Sequence, residues 1–418
     1  MSPPNIQPNI EHPESQVPAH LAEEPLSEDE LRKQYEGLRA TGDIYKTVTS
    51  IRRQICKVAG FAICMVPGFI KTKVKKPENL TFDNLDEAGI DKKTFSPLVD
   101  LGAFDLQKIR DGNADFSKLA EEGVQEIVLM EDRDPMFYLN YNGYDPRKEV
   151  PLNRHGAKAE RWLMEDMKKL IELLHKAGIK VVMGFWGNSG NHEGNAFINR
   201  NWENLKPVVP LSDDINPLSF VKDGEDHEMP FADYVVKQYA KIKRDFHVDG
   251  LFLGDGLMGY RSFLDSQGPY DLEDTAPLWT DFYRRINNGV KKQGADDTLW
   301  AYDCMGNGTE QIRKNGVDLE ALAPHIDNYI FQAYGSDAWG KNYMRLPGYD
   351  LQRDTREAST LPPSIKAKTR YTVGLGDSVE GWTGRRADMK AKHASLERNA
   401  HKGTLGVWSN EIVRRLNG

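Results

Sequence analysis

The chain has 418 residues, with 55 Lys and Arg against 63 Asp and Glu for a formal net charge of −8. Both signs are mixed along the length, so no basic stripe exists to track a phosphate backbone, and nucleic acid is excluded as an expected partner. Three cysteines, Cys56, Cys64 and Cys304, form no C-x-x-C pair and an odd total; they exclude a disulfide framework or thiolate zinc site and read as reduced thiols.

The N-terminal stretch "MSPPNIQPNIEHPESQVPAHLAEEPLSEDE" lacks the basic start and apolar core of a secretory signal. The cytoplasm is therefore the default location, with secretion the alternative if a leader has been removed. Residues 1–26 are rich in Pro, Asn, Glu and Ser and carry too few apolar groups to offset the entropy of ordering, which predicts a flexible tail. In "SEDELRKQYEGL", Ser27 is placed as an N-cap with Glu30 three residues on, so folded structure is expected to begin near residue 27 and run as one domain over 27–418. The apolar run "ICKVAGFAICMVPGFI" at 55–70 contains Lys57 and Pro67 and falls short of the roughly 18 to 20 residues of a membrane span, so it reads as a buried strand.

From there one theme repeats: a short apolar, β-branched strand, a polar loop, an amphipathic helix, and another strand. The candidate strands are "GFAICMVPGF", "VQEIVLM", "IKVVMGFW", "DGLFLGD", "TLWAYDC", "NYIFQAY", "RYTVGLGD" and "TLGVWSN". Between them lie helices such as "AERWLMEDMKKLIELLHKAG", where Leu163, Met167, Leu170, Ile171 and Leu174 form one stripe and Gly178 supplies the stop. "FADYVVKQYAKIKRDF" and "DMKAKHASLERNAHKG" repeat that logic before the fourth and eighth strands. Strands alternating with helices imply parallel pairing, and eight such units predict an α/β fold of the (β/α)8 TIM-barrel type. Two long loops, through "KPENLTFDNLDEAGIDKKTF" after the first strand and through "NSGNHEGNAFINRNWENLKPVVPLSDD" after the third, are expected to wall the pocket.

The stretch "HVDGLFLGDGLMGY" admits two readings. Gly254, Gly256 and Gly259 spell the G-x-G-x-x-G of a dinucleotide-binding turn, but Asp255 would set a negative charge against the pyrophosphate. Gly268 and Pro269 also break the helix that turn must open. The barrel reading makes Asp255 the first carboxylate beyond the fourth strand, uncrowded by its flanking glycines; the bland reading makes it an N-cap.

Other strand ends carry similar groups. The second is followed by Glu131, Asp132 and Asp134; the third by Trp186, Asn188 and His192; the fifth by Asp303; the sixth by Tyr334, Asp337 and Trp339. The seventh is followed by Asp377 and Glu380, with Trp382 beyond, and the eighth by Trp408, Asn410 and Glu411. No such set is expected at the opposite ends of the strands. Paired carboxylates beside flat aromatic faces suit glycosidic bond cleavage: one acid protonates the leaving oxygen, and the other attacks or activates water. Trp and Tyr faces stack on the C–H side of a sugar while Asn and His bind its hydroxyls.

"VDGLFLGDG" resembles the fourth strand of retaining α-glycoside hydrolases with (β/α)8 barrels, in the α-amylase superfamily and the dextranase type, and "HKAGIKVVMGFWGN" is similar to their third. The resemblance implies that Asp249 and Gly250 are the opening pair and Asp255 the nucleophile, with Asp303 or Asp337 as the acid. Phe252 stands where α-amylases carry an arginine. The expectation is a retaining glycoside hydrolase or transglycosylase acting on a carbohydrate, with no cofactor, metal, nucleic acid or membrane partner. Its rivals are a magnesium-dependent lyase or isomerase, with Asp255, Asp303 and Glu131 as hard oxygen ligands, and a carbohydrate-binding barrel without catalysis.

Overall fold

The computed structural model describes residues 80–130, 143–150, 161–185, 196–205, 215–254, 257, 272–303, 312, 316–331, 358–375, 402–407 and 409–416. Its strands are β1 (Phe95–Asp100), β2 (Glu126–Met130), β3 (Lys180–Phe185), β4 (Phe220–Lys222), β5 (Glu228–Pro230), β6 (Gly250–Leu253), β7 (Thr298–Asp303), β8 (Asn328–Phe331), β9 (Thr369–Gly374) and β10 (Gly403–Val407). Eight of them close in the order β1-β10-β9-β8-β7-β6-β3-β2, every pair parallel. The short antiparallel pair β4–β5 stands apart from the barrel. This is the expected TIM barrel, and it excludes the open sheet that the dinucleotide reading of Gly254, Gly256 and Gly259 requires.

The position of the first strand differs from the expectation. The barrel closes on "FSPLVD", which pairs with β10 on one side and β2 on the other. The run at 60–69 lies outside the described residues, and no place in the closed ring is left for it. Part of what the sequence assigned to a loop after the first strand therefore leads into it. Two 3-10 turns, Asp86–Ala88 and Lys92–Thr94, bury Leu85, Ala88 and Ile90 on the way to Phe95. Pro97 hides this strand from a sequence reader, because proline punctuates strands more often than it continues them.

The helices are α1 (Leu106–Asp111), α2 (Ser117–Glu121), α3 (Met164–Lys176), α4 (Ala196–Leu205), α5 (Phe231–Phe246), α6 (Leu272–Gln293), α7 (Leu319–Leu322), α8 (Pro363–Lys366) and α9 (Asn410–Leu416). In α3, Met167, Leu170, Ile171 and Leu174 are buried as the periodicity predicts, and Gly178 sits at φ +80°, the left-handed stop that glycine takes without strain. Burying each of these side chains contributes about 1.5–3 kcal/mol. Leu163 lies just before the helix, and its N–H donates to Asp166, which Arg110 grips with two donors and so ties α1 to α3. The long segment after β3 holds α4 and the β4–β5 hairpin. The expected helix at 27–38 and most of that at 388–403 lie outside the described residues.

Strand alternation divides the side chains into two cores. Val99, Ile127, Leu129, Val181, Leu251 and Tyr329 face the helices, while Leu98, Val128, Val182, Phe252, Trp300 and Ile330 fill the barrel. At the N-terminal end the barrel is plugged by Arg370. Its Nε donates to Asn328 Oδ1 at 2.9 Å, its Nη1 to Ser96 Oγ at 2.7 Å and its Nη2 to Glu126 Oε1, and its guanidinium lies 4.7 Å from the Trp300 ring centre.

Candidate active site at the C-terminal mouth of the barrel

In a closed parallel barrel, groups at the C-terminal strand ends share one mouth. β6 stops at Leu253, two residues before Asp255, and β3 stops at Phe185, immediately before Trp186. Asp255, Asp337, Trp186, Asn188, His192, Tyr334, Trp339, Asp377, Glu380, Trp382 and Trp408 lie outside the described residues, as do Glu131, Asp132 and Asp134. Asp303 closes β7 opposite Phe331, and Glu411 follows Asn410 in α9; the side chains of both lie outside the description. Asn410 is the strand-end residue from the sequence reading whose contacts are described.

Residues on either side of Asp255 are firmly held. The Gly254 N–H donates to Phe185 O at 2.5 Å, fastening the end of β6 to β3. The buried Leu257 donates its N–H to Gly254 O at 3.3 Å, and its own carbonyl accepts from the Tyr283 hydroxyl of α6 at 2.7 Å. Gly254 and Leu257 are thereby anchored to the barrel wall and to α6. Within the barrel, Gly184 admits Met130: a Cβ on Gly184 would lie 1.7 Å from the Met130 sulfur.

A carboxylate that the sequence reading missed also stands at this mouth. Asp100 ends β1 in the inward row of Ser96 and Leu98, and is half-buried. Asn410 holds it at two points. The Asp100 N–H donates to Asn410 Oδ1 at 3.1 Å, and Asn410 Nδ2 donates to Asp100 Oδ2 at 2.7 Å. The signal was available in "PLVD", an apolar run closed by Asp like "LFLGD" and "WAYD". It was lost with the misplaced first strand.

Contrary to the sequence expectation, the opposite ends of the strands carry carboxylates too, and the protein itself occupies them. Asp249 Oδ2 accepts the Val181 N–H at 2.8 Å and lies 2.8 Å from His175 Nε2. Burial would raise its pKa, but the His175 and Val181 contacts prevail and hold the carboxyl below its usual range. Asp297 accepts from Tyr239 and Lys243, and Asp327 accepts the Leu299 N–H and pairs with Lys291. The pair Asp249–Gly250 thus has a structural reason. Asp249 clasps α3 and β3 to β6, and Gly250 leaves room for Thr298, whose carbonyl oxygen would lie 2.5 Å from a Cβ there.

Among the described residues, Asp223, Glu225 and His227 bring potential metal ligands within 4.8 Å of one another. They sit at the turn of the β4–β5 hairpin, away from the barrel strands. The Asp223 carboxylate is already engaged by Lys237 Nζ at 2.7 Å and by the Glu225 and His227 N–H groups at 2.8 and 3.0 Å. The Lys237 hydrogen bond outweighs burial and holds Asp223 far below its ordinary range. With its cation already supplied by Lys237, the cluster is a hairpin latch.

No family model and no curated protein matches the chain. Solved structures similar to it include a chitinase from Rhizomucor miehei, at 11% identity and TM-score 0.40, covering 77% of this chain and 99% of that one. An α-amylase from Geobacillus thermoleovorans, complexed with acarbose, matches at 11% identity and TM-score 0.41, covering 77% and 71%. An α-amylase from Lactobacillus plantarum matches at 15% identity and TM-score 0.38, covering 68% of this chain; the chain spans 62% of that protein's length. At these identities and superposition scores the likeness carries no argument about activity.

Proposed function

We propose that the protein is a glycoside hydrolase or transglycosylase working by a retaining mechanism, with Asp255 as nucleophile and Asp337 or Asp303 as general acid. One observation carries this reading. Every barrel strand ends at, or is followed within three residues by, a carboxylate or an aromatic ring: Asp100, Glu131, Trp186, Asp255, Asp303, Tyr334, Asp377 and Trp408. Acids at the other end are spent on backbone N–H groups, lysines, a histidine and a tyrosine, which supports a chemical rather than an architectural use for those at the mouth.

The chemistry asks for one ionised carboxylate beneath the anomeric carbon and one protonated carboxyl near the leaving oxygen. Asp255 stands between two glycines in sequence, whose lack of side chains favours the approach of a bulky ring. Trp186, Trp339, Trp382, Trp408 and Tyr334 offer stacking faces, and Asn188, His192, Asp377, Glu380 and Glu411 offer hydroxyl partners. The test is hydrolysis of α- and β-linked oligosaccharides by wild type and Asp255→Asn, with and without EDTA, following the anomer of the product. Cleavage with retained configuration, insensitive to chelation and reduced at least about a thousandfold by the substitution, supports the reading. Cleavage abolished by EDTA favours the metal-dependent rival, and binding without turnover favours the non-catalytic one.

A further inference from the structure

Asp100 differs from the carboxylates at the opposite end of the barrel in one respect that bears on ligand binding. Asp249, Asp297 and Asp327 each take a charged or ring partner from the protein, whereas Asp100 takes only an amide. Asn410 orients the carboxylate without bringing an opposite charge. It engages Oδ2 alone, and among the described residues Oδ1 has no protein partner. A carboxylate offers about four acceptor sites, so among the described residues about three have no partner on a group that is half-buried and fixed in direction. In the ring order β1 lies four strands from β7, so Asp100 stands across the mouth from the strand that Asp303 closes.

We infer that Asp100, positioned by Asn410, binds adjacent hydroxyls of a pyranose ring at the mouth of the barrel. Two vicinal hydroxyls that both donate meet two acceptor oxygens a fixed distance apart in one carboxylate, whereas an amide offers a single acceptor oxygen. Pre-orientation by Asn410 removes the cost of fixing the side chain when the sugar arrives. The inference rests on the glycosidase reading and adds to it a hydroxyl-binding group on β1, where the sequence reading placed none.

The experiment compares wild type, Asp100→Asn, Asn410→Ala and Asp255→Asn on the oligosaccharide that wild type cleaves best. It measures kcat and KM, sugar affinity by calorimetry on Asp255→Asn with and without Asp100→Asn, and thermal midpoints. Asp100→Asn keeps the shape of the side chain. It is expected to lower kcat/KM about ten- to a hundredfold, chiefly through KM, with a matching loss of affinity, the range set by a hydrogen bond to a charged group. Asn410→Ala is expected to raise KM in the same direction by a smaller factor. Unchanged KM and affinity in Asp100→Asn, with Asp255→Asn inactive, overturn the inference and leave the glycosidase reading standing; the pair is then a clasp between β1 and α9. If Asp100→Asn does not fold, unchanged KM in Asn410→Ala overturns it equally. If wild type neither binds nor cleaves any sugar, both readings fall together.

Discussion

Replacing Arg370 with Met tests how the barrel closes at the end opposite the mouth. The side chain is 8% exposed and donates to Asn328, Ser96 and Glu126, while Glu126 is 19% exposed. Methionine fills much of the volume but removes the guanidinium paired with Glu126 and leaves only the weaker field of Lys402, and breaking such a pair costs about 3–5 kcal/mol when both groups are buried. Water reaches part of Glu126, so the lower end, about 3 kcal/mol at pH 7, is expected. Urea unfolding followed by circular dichroism at pH 7 should show this gap between wild type and variant. Adding Glu126→Gln should recover part of the loss. A gap under about 1 kcal/mol would refute the reasoning.

Two further substitutions test the frame. Gly250→Ala sets a methyl 2.5 Å from the Thr298 carbonyl and 2.6 Å from its hydroxyl. A backbone oxygen cannot swing aside, so β6 and β7 must separate at a cost of about 1–3 kcal/mol, and an unchanged calorimetric midpoint would show that the strands are less tightly apposed. Asp223→Asn removes a carboxylate whose folded pKa lies below its ordinary 3.8. Its stabilisation is fully present above that ordinary value and is lost as pH falls through the depressed one. The variant should be weaker by about 1–3 kcal/mol at pH 7, with the difference shrinking below pH 3.8, and a constant difference would rule out charge as its source.

Seven of the eight barrel strands were legible because a strand buried on both faces reads as a nearly continuous apolar run, as in "EIVLM", "KVVMGF" and "NYIF". The helices α3 and α5 were legible for the complementary reason, one apolar stripe, with Gly178 marking the stop after α3. β1 was not, because it is six residues long with proline third. A longer and greasier run at 60–69 matched the strand template better. Apolar content measures burial and not location, so a local pattern could not decide which of two candidates the eighth ring position would take.

The same limit explains the site. A strand-end Asp reads alike whether it meets water, a lysine or an amide, and the difference lies in partners far along the chain: Asp249 meets His175, Asp297 meets Lys243, and Asp100 meets Asn410 across 310 positions. Sequence placed Asn410 at a strand end without giving it a role of its own. The structure makes it the residue that aims Asp100, and closure of the ring between β10 and β1 is what brings the two together. The pairing of Asp100 with Asn410 was therefore never legible locally. It needed the first strand and the last to be neighbours, and a closed barrel makes them so whatever separates them in sequence.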